Sequence, residues 1–204
     1  MIAIIDYGMG NLRSVQKAFE HLGFEAVITD DPAEVAAADR VVLPGVGAFG
    51  DAMARLRETG MDKAFLDAAR GGKPVLGICL GMQMMFEESE ENGLHRGLGL
   101  FPGRITRFED RGLKIPHMGW NTLRTRDCPL FDAGDDACVY FVHSYRAAAI
   151  SDDFTAATCD YGQPFTAAVC RENVMATQFH PEKSGDAGLD MLRRFATWQE
   201  EKPC

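Results

Sequence analysis

Hydrophobic residues in the first half of the chain alternate between two periodicities. The segment IAIID near the start is almost wholly apolar, which is typical of a buried strand. The next segment, NLRSVQKAFEHLG, carries apolar residues at helical spacing: Leu12, Val15, Phe19 and Leu22. Asn11 is the expected N-cap of this helix and Gly23 its expected stop.

The same alternation continues to about residue 90. Strands are predicted at FEAVITD, RVVLPG and PVLGIC, and helices at PAEVAAA and over residues 51–70, where Gly60 is expected to split the helical run. A further helix, MQMMFEES, is predicted directly after PVLGIC. Apolar strands of this kind occur where helices cover both faces of a parallel sheet.

From about Gly93 the pattern changes to shorter strands joined by Gly, Pro and Asp turns. They are expected at GLGLFPGRITRFE, KIPHMGWNTLRT, ACVYFVHSYRA, FTAATCDYG, PFTAAVCRE and NVMATQFHPE, and an amphipathic helix, DAGLDMLRRFATWQEE, closes the chain. We therefore predict an α/β fold with three layers: an open, mostly parallel sheet, helices on both faces, and added antiparallel strands in the second half. One domain is expected over residues 1–204.

Composition excludes several classes of function. With 204 residues, a net charge of -9 and 46% hydrophobic residues, the chain is expected to be a cytoplasmic globular protein that binds neither nucleic acid nor membrane. A signal peptide is not expected, because MIAIID has no basic residues and reaches an aspartate after five residues. The six cysteines form no C-x-x-C pair, which argues against a metal site or a redox dithiol, and in a reducing compartment they are expected to stay free thiols.

One cysteine stands out because glycines flank it at two residues on either side. Gly77-Ile78-Cys79-Leu80-Gly81 ends a predicted strand and opens a predicted helix, the context of a nucleophile elbow with Cys in place of Ser. The helix N-terminus would favour the thiolate, and the N–H of Leu80 would face a developing oxyanion. The alternative is a core cysteine, since free Cys is among the most buried residue types.

A thiol nucleophile needs a base and a group that orients the base. Among the five histidines, His21 is expected to cap a helix and His95 to lie in a solvated turn. His180 ends a strand-like run, and Pro181 is expected to keep the chain extended so that His180 and Glu182 project to the same side. A surface turn would explain His180 and Glu182 taken alone. The Cys79 motif and this pair both lie at predicted strand ends, however, which favours a catalytic triad.

Two glycine-rich segments are candidate ligand loops. LPGVG follows a predicted central strand, so its backbone amides, with that of Gly47 among them, can approach a ligand closely; an ordinary loop is the alternative. In DYGMGN, Gly8 and Gly10 begin a dinucleotide fingerprint, but Arg13 stands where the third glycine belongs. We expect neither a nucleotide cofactor nor a metal ion.

Together GICLGMQ, the downstream FHPE and the upstream LPGVG resemble the class I, or triad, glutamine amidotransferases, along the full length of the chain. The resemblance implies an enzyme that hydrolyses L-glutamine, with Cys79 as nucleophile, His180 as general base and acid, and Glu182 as the group that orients His180. It also implies oxyanion-hole amides at Leu80 and Gly47. Contacts to the amino-acid end of the substrate are implied for Gln83, His143, Ser144 and Tyr145.

Other segments narrow the resemblance. DYGMGNLRSV, LPGVGAFGDAM, PHMGWN and YFVHSYR are similar to family members that pass ammonia to a (β/α)8-barrel cyclase subunit in histidine biosynthesis. A heterodimer is implied, with Asn11, Trp120, Asn121 and Tyr140 lining or facing the partner. A core position is the alternative for Trp120.

Three other functions remain open from the sequence. The first is a glutaminase subunit serving another synthase, against which PHMGWN and DYGMGN argue. The second is a non-catalytic module on the same fold, in which loss of Cys79, His180 or Glu182 would be expected. The third is a partner-independent thiol hydrolase of γ-glutamyl peptides.

Overall fold

The computed structural model of the protein describes residues 1–147 and 153–199. Its first half alternates strands and helices as the hydrophobic pattern predicts. The strands are β1 (Ile2–Ile5), β2 (Ala26–Thr29), β3 (Arg40–Gly45) and β4 (Val75–Cys79). The helices are α1 (Leu12–His21), α2 (Pro32–Ala37), α3 (Phe49–Glu58) and α4 (Met61–Arg70). Gly60, with a φ of 73°, separates α3 from α4 as expected.

The second half is mostly strands. After the short helix α5 (Leu80–Met84) come β5 (Phe86–Ser89), β6 (His95–Arg96), β7 (Phe101–Arg107), β8 (His117–Thr125), β9 (Cys138–His143), β10 (Tyr145–Ala147), β11 (Thr155–Asp160), β12 (Pro164–Arg171) and β13 (Val174–Thr177). A single 3-10 turn (Pro181–Lys183) leads into the last described helix, α6 (Gly185–Thr197). The predicted closing helix extended to residue 201, but α6 ends at Thr197, and residues 200 and 201 lie outside the described ranges.

A mostly parallel sheet with added antiparallel strands confirms the predicted fold class. Its main path runs β2-β1-β3-β4-β13-β12-β10-β7-β5-β6, and the pairs from β2 to β13 are parallel. From β12 outward most pairs are antiparallel, and β11, β8 and β9 branch from β12. The parallel neighbours β3, β4 and β13 bring three carboxyl ends to the same edge of the sheet, where the candidate site lies.

Alternate residues of the parallel strands face two separate hydrophobic cores. In β1, Ile2 and Ile4 pack with Phe19 of α1 and Phe195 of α6 on one face. Ala3 and Ile5 pack on the other face, where α2, α3 and α4 contribute apolar side chains: Val35, Phe49, Met53, Leu56 and Phe65. Because strand side chains alternate between faces, apolar residues at successive positions place helices on both sides.

The helix predicted at MQMMFEES is only half correct. It ends with α5 at Met84, and Phe86–Ser89 instead forms β5, which pairs in parallel with β7. Phe86 is fully buried and its ring lies 5.7 Å from that of Phe101. Local propensity favoured a helix here, but strand pairing and burial of Phe86 decide the structure.

The cysteines also depart from expectation at one position. Cys79, Cys128, Cys138 and Cys159 are free thiols. Cys170 is disulfide-bonded, so the expectation that all six remain free is wrong. Cys204 lies outside the described residues. Over residues 1–147 and 153–199, none of the helices is long and apolar enough to cross a membrane.

Candidate active site

The turn that holds Cys79 explains its flanking glycines. Cys79 is the last residue of β4 and directly precedes α5, and it adopts a φ of 55°, a left-handed conformation that L side chains rarely occupy. A Cβ on Gly81 would lie 1.8 Å from the carbonyl oxygen of Leu43. A Cβ on Gly77 would lie 2.9 Å from the backbone nitrogen of Met82. Both glycines are sterically required, so the predicted elbow is present.

The helix that follows the elbow is shorter than expected. With α5 limited to Leu80–Met84, little more than one turn of aligned peptide dipoles faces Cys79. The expected stabilisation of a thiolate by the helix is therefore small.

His180 and Glu182 are brought to Cys79 by strand pairing. β13 lies beside β4, with Thr177 opposite Ile78, so the chain leaving β13 passes the elbow. The expected extended chain ends at His180, because Pro181–Lys183 forms a 3-10 turn. The turn brings Glu182 back to His180, whose Nδ1–H donates to Oε1 at 2.9 Å. Their side chains are 3% and 1% exposed.

The charges around His180 favour its imidazolium form. Burial alone lowers the pKa of His180, but the neighbouring Cys79 side chain and the hydrogen-bonded Glu182 carboxylate outweigh burial and raise it to about 9. The buried Nε2 of His180 and Oε2 of Glu182 have no hydrogen-bond partner among the described residues. A buried Nε2 left unpaired beside a thiol is suited to exchange a proton with a ligand.

A cavity of about 390 Å³ joins these groups to the other predicted residues. It is lined by Val46, Gly47, Cys79, Leu80, Gln83, Glu91, Pro116, Val142, His143, Ser144, Tyr145 and His180. Every residue predicted for the oxyanion hole or for the substrate's amino-acid end therefore lies at one cavity. Glu182 stands behind His180, outside this lining.

The LPGVG segment forms one wall of the cavity. Gly47 has a φ of 95°, which a residue other than glycine would adopt only with strain. Behind it, Gly45 is tightly enclosed, since a Cβ there would lie 2.7 Å from the Tyr7 hydroxyl. That hydroxyl donates to the carbonyl oxygen of Pro44 at 3.2 Å. The loop is anchored at Pro44 and Gly45 and is conformationally permissive at Gly47.

A pair of buried histidines supports another part of the cavity lining. His143 Nδ1–H donates to the carbonyl oxygen of Tyr145 at 2.8 Å, and its Nε2 lies 3.2 Å from His117 Nδ1. Burial lowers the pKa of His143 to about 3 and that of His117 to about 4, so both rings are neutral at pH 7. His117 Nδ1–H must then donate to His143, and its Nε2 accepts from Asn121 at 3.3 Å.

Three residues at this site were not predicted from the sequence. His117 belongs to PHMGWN, but nothing in the segment indicates that its ring packs against His143. Glu91 lines the cavity, and its Oε2 accepts the N–H of Phe49 at 2.8 Å. Gln178 is fully buried and donates from Nε2 to Cys79 Sγ at 3.8 Å. A signal for Gln178 was available, since it lies two residues before His180 on the same strand-like run.

The four residues predicted to face a partner lie outside the cavity lining. Trp120 is 57% exposed, which rules out a core position, and its ring lies 6.1 Å from that of Tyr140 on β9. Met118, on the same face of β8, is 59% exposed. The half-buried Asn121 bridges His117 and the carbonyl oxygen of Asp160.

Asn11, the fourth of these residues, occupies the predicted N-cap position of α1 and lines an open groove with Asp6 and Arg13. Its side chain accepts from the Ser14 hydroxyl at 2.9 Å and makes no capping bond to the backbone. Within residues 1–147 and 153–199 there is no group of three or more His, Cys, Asp or Glu side chains that could hold a metal ion.

Comparisons with known proteins show the family to which the chain belongs. Residues 3–197 match the family described as glutamine amidotransferase class-I, and the chain belongs to that family. A protein of Syntrophotalea carbinolica named imidazole glycerol phosphate synthase subunit HisH is 55% identical over 203 residues, which cover 96% of this chain and 98% of that protein. A protein of the same name from Methanothermobacter thermautotrophicus is 54% identical over 197 residues, with coverages of 96% and 97%.

Solved structures share the fold at lower sequence identity. A chain described as glutamine amidotransferase superposes with a TM-score of 0.76 at 18% identity, covering 97% of this chain and 100% of that one. A chain from the structure of PurLQS from Thermotoga maritima gives a TM-score of 0.76 at 23% identity, covering 96% of each. These likenesses concern the fold alone.

Proposed function

We propose that this protein is the glutaminase subunit of imidazole glycerol phosphate synthase in the cytoplasm. In this proposal it hydrolyses L-glutamine to glutamate and ammonia, and it passes the ammonia to a (β/α)8-barrel cyclase subunit in a heterodimer. The observation that carries the proposal is the cavity at which an elbow cysteine and a histidine paired with a carboxylate meet. Identity of 55% over nearly the whole length of a HisH subunit supports the choice of product.

In the proposed first half-reaction, the Cys79 thiolate attacks the side-chain amide carbon of glutamine. The amides of Leu80 and Gly47 stabilise the oxyanion, and His180 donates the proton from Nε2 to the departing nitrogen. Ammonia leaves as the C–N bond breaks, and a thioester to Cys79 remains. Glu182 keeps Nδ1 protonated throughout, so that Nε2 is the nitrogen that exchanges protons.

The second half-reaction consumes water. His180 takes a proton from a water molecule, whose oxygen attacks the thioester carbon, and the C–S bond breaks to release glutamate and restore the thiolate. Gln83, His143, Ser144 and Tyr145 line the part of the cavity that would hold the amino-acid end of the substrate. Glu91 is the carboxylate in this lining, and we assign it to the substrate ammonium on charge complementarity.

The partner would cover the outer face of β8 and β9. Trp120 and Met118 are exposed there, beside strand residues such as Val142 that line the cavity. Exposed large apolar side chains next to a cavity mark an interaction surface. Free ammonia released to bulk water would be protonated and lose its nucleophilicity, so a cyclase covering this face would retain it. Asn11, Asn121 and Tyr140 are assigned to the same interface.

The decisive experiment replaces Cys79 by Ser. The complex of the Cys79→Ser chain with the cyclase should lose glutamine-dependent synthesis, because a serine hydroxyl is a far weaker nucleophile here than a thiolate. It should keep synthesis with added ammonium salts, because the cyclase site is on the other subunit. The Cys138→Ser chain, altered at an exposed free thiol, is the control. Appreciable glutaminase activity in Cys79→Ser would contradict the assignment.

A further inference from the structure

A chain of amide groups leads from the substrate-side backbone to the candidate nucleophile. Gln83 Nε2 lies 3.0 Å from the carbonyl oxygen of Tyr145 and 2.9 Å from Gln178 Oε1. Gln178 Nε2 in turn lies 3.8 Å from Cys79 Sγ. Gln83 is 4% exposed and Gln178 is fully buried, so solvent does not compete for these groups.

The donor and acceptor of each hydrogen bond in this chain of amide groups follow from one backbone carbonyl, that of Tyr145. The oxygen of Tyr145 can only accept, so Gln83 must present its amino group to it. The second N–H of that group points at Gln178, which must therefore present its oxygen to Gln83. The carboxamide of Gln178 is then oriented with its own N–H groups toward Cys79. If the carboxamide of Gln178 were flipped, its oxygen would face the thiolate sulfur, which also only accepts, and its N–H groups would face those of Gln83.

We propose that Gln178 is a further catalytic residue, whose N–H stabilises the thiolate of Cys79 and whose orientation is set by Gln83 and the carbonyl of Tyr145. The inference rests on the proposed function, in which Cys79 is the nucleophile. A hydrogen bond to an ionised acceptor is roughly twice as strong as one to a neutral acceptor, so this N–H favours the thiolate over the thiol. It provides the stabilisation that the short helix α5 cannot.

A purely structural role for Gln178 would need only that its volume fill the strand end. The amide group of Gln178 also has a hydrogen-bond partner on each side, because its oxygen accepts from Gln83 and its N–H donates to Cys79. The titratable groups that act on Cys79 from neighbouring elements are His180 after β13 and Tyr7 after β1. Neither is changed by substitution of Gln178, so an effect on the thiolate can be attributed to the lost N–H.

The test is the pH dependence of alkylation of Cys79 by iodoacetamide, read for that thiol by mass spectrometry in the full chain. Gln178→Met removes the N–H and keeps the length of the side chain. The midpoint of the alkylation profile should rise by about one pH unit, the shift equivalent to one net hydrogen bond. An unchanged midpoint in folded Gln178→Met would overturn the proposal.

Two further variants separate orientation from general disturbance. Gln83→Met leaves Gln178 in place but frees it to rotate, so the midpoint should rise by a smaller amount; no rise would refute the amide chain. Gln163→Met is the matched control, because Gln163 is also buried but its Oε1 accepts from Arg146, away from Cys79. A shift of the Gln163→Met midpoint equal to that of Gln178→Met would likewise overturn the proposal.

Steady-state kinetics of the complex gives an independent reading. Gln178→Met should lower kcat for glutamine at least about tenfold with little change in KM, since the lost bond acts on the nucleophile. A rise in KM with kcat unchanged would contradict the assignment. The alkylation profile needs no glutamine, so it tests Gln178 even if the chain proves to act on another substrate.

Discussion

The buried histidine pair makes a quantitative prediction about stability and pH. His117 has a pKa of about 4 in the folded protein, against 6.5 for an ordinary histidine, because burial disfavours its charged form. Below about pH 6.5 the unfolded chain therefore binds a proton at this residue that the folded chain does not. The free energy of unfolding must fall as pH is lowered through this window, by about 1.4 kcal/mol per pH unit for this group. Between pH 6.5 and pH 4 the total is about 3 kcal/mol.

The perturbation that isolates this effect is His117→Phe. A phenyl ring can keep the stacking on Phe141 and Tyr161, whose rings lie 4.7 Å and 4.0 Å from that of His117. It loses the hydrogen bonds to His143 and Asn121, so near pH 7 the variant should be less stable by about 1–3 kcal/mol. As pH falls, protonation of residue 117 in the unfolded chain destabilises only the wild type. The difference in free energy of unfolding between the wild type and the variant should therefore close or reverse near pH 4.

The assay is urea unfolding followed by circular dichroism at a series of pH values, with the wild type and the variant compared at each. Phe165→Leu is the matched control, because it disturbs the same aromatic cluster without removing a titratable group. Its stability gap from the wild type should not depend on pH. A gap for His117→Phe that is equally independent of pH between about 6.5 and 4 would refute the burial of a neutral His117.

Further predictions concern the catalytic groups. Glu182→Gln should lower kcat by about two to four orders of magnitude with little change in KM, because it removes the charge that favours the His180 imidazolium; kinetics equal to wild type would reduce the triad to a pair. Gly81→Ala should lower the Tm by several degrees, because its Cβ would meet the Leu43 carbonyl at 1.8 Å, and an unchanged melting curve would contradict that contact. Adding the cyclase and its nucleotide ligand to the isolated chain should raise the rate of glutamate release at least about a hundredfold. The expected reason is that the partner rotates the peptide at Gly47, a conformationally permissive glycine, so that its amide faces the oxyanion. Full glutaminase activity without a partner would refute this rotation.

The sequence by itself determined the elements whose signal is local. Successive apolar residues in β1 and β4 predict buried parallel strands, and Gly60 marks the break between α3 and α4 because a glycine there adopts a φ of 73°. The candidate triad was also accessible, since glycines flank Cys79 at two residues on either side. The contact that requires Gly77, with Met82, is local to the turn, whereas the Leu43 carbonyl that encloses Gly81 comes from elsewhere in the chain.

Tertiary structure alone decided whatever depends on a neighbour distant in sequence. Phe86 lies in a strand because it pairs and packs with β7, although its own segment favours a helix. His117 and Gln178 acquire a role only when strand pairing brings them to His143 and Cys79, 26 and 99 residues away. The polarity of each hydrogen bond in these chains is set at a backbone carbonyl, which carries no signature in the sequence. Side-chain type is local information, whereas hydrogen-bond direction and burial are properties of the packed chain.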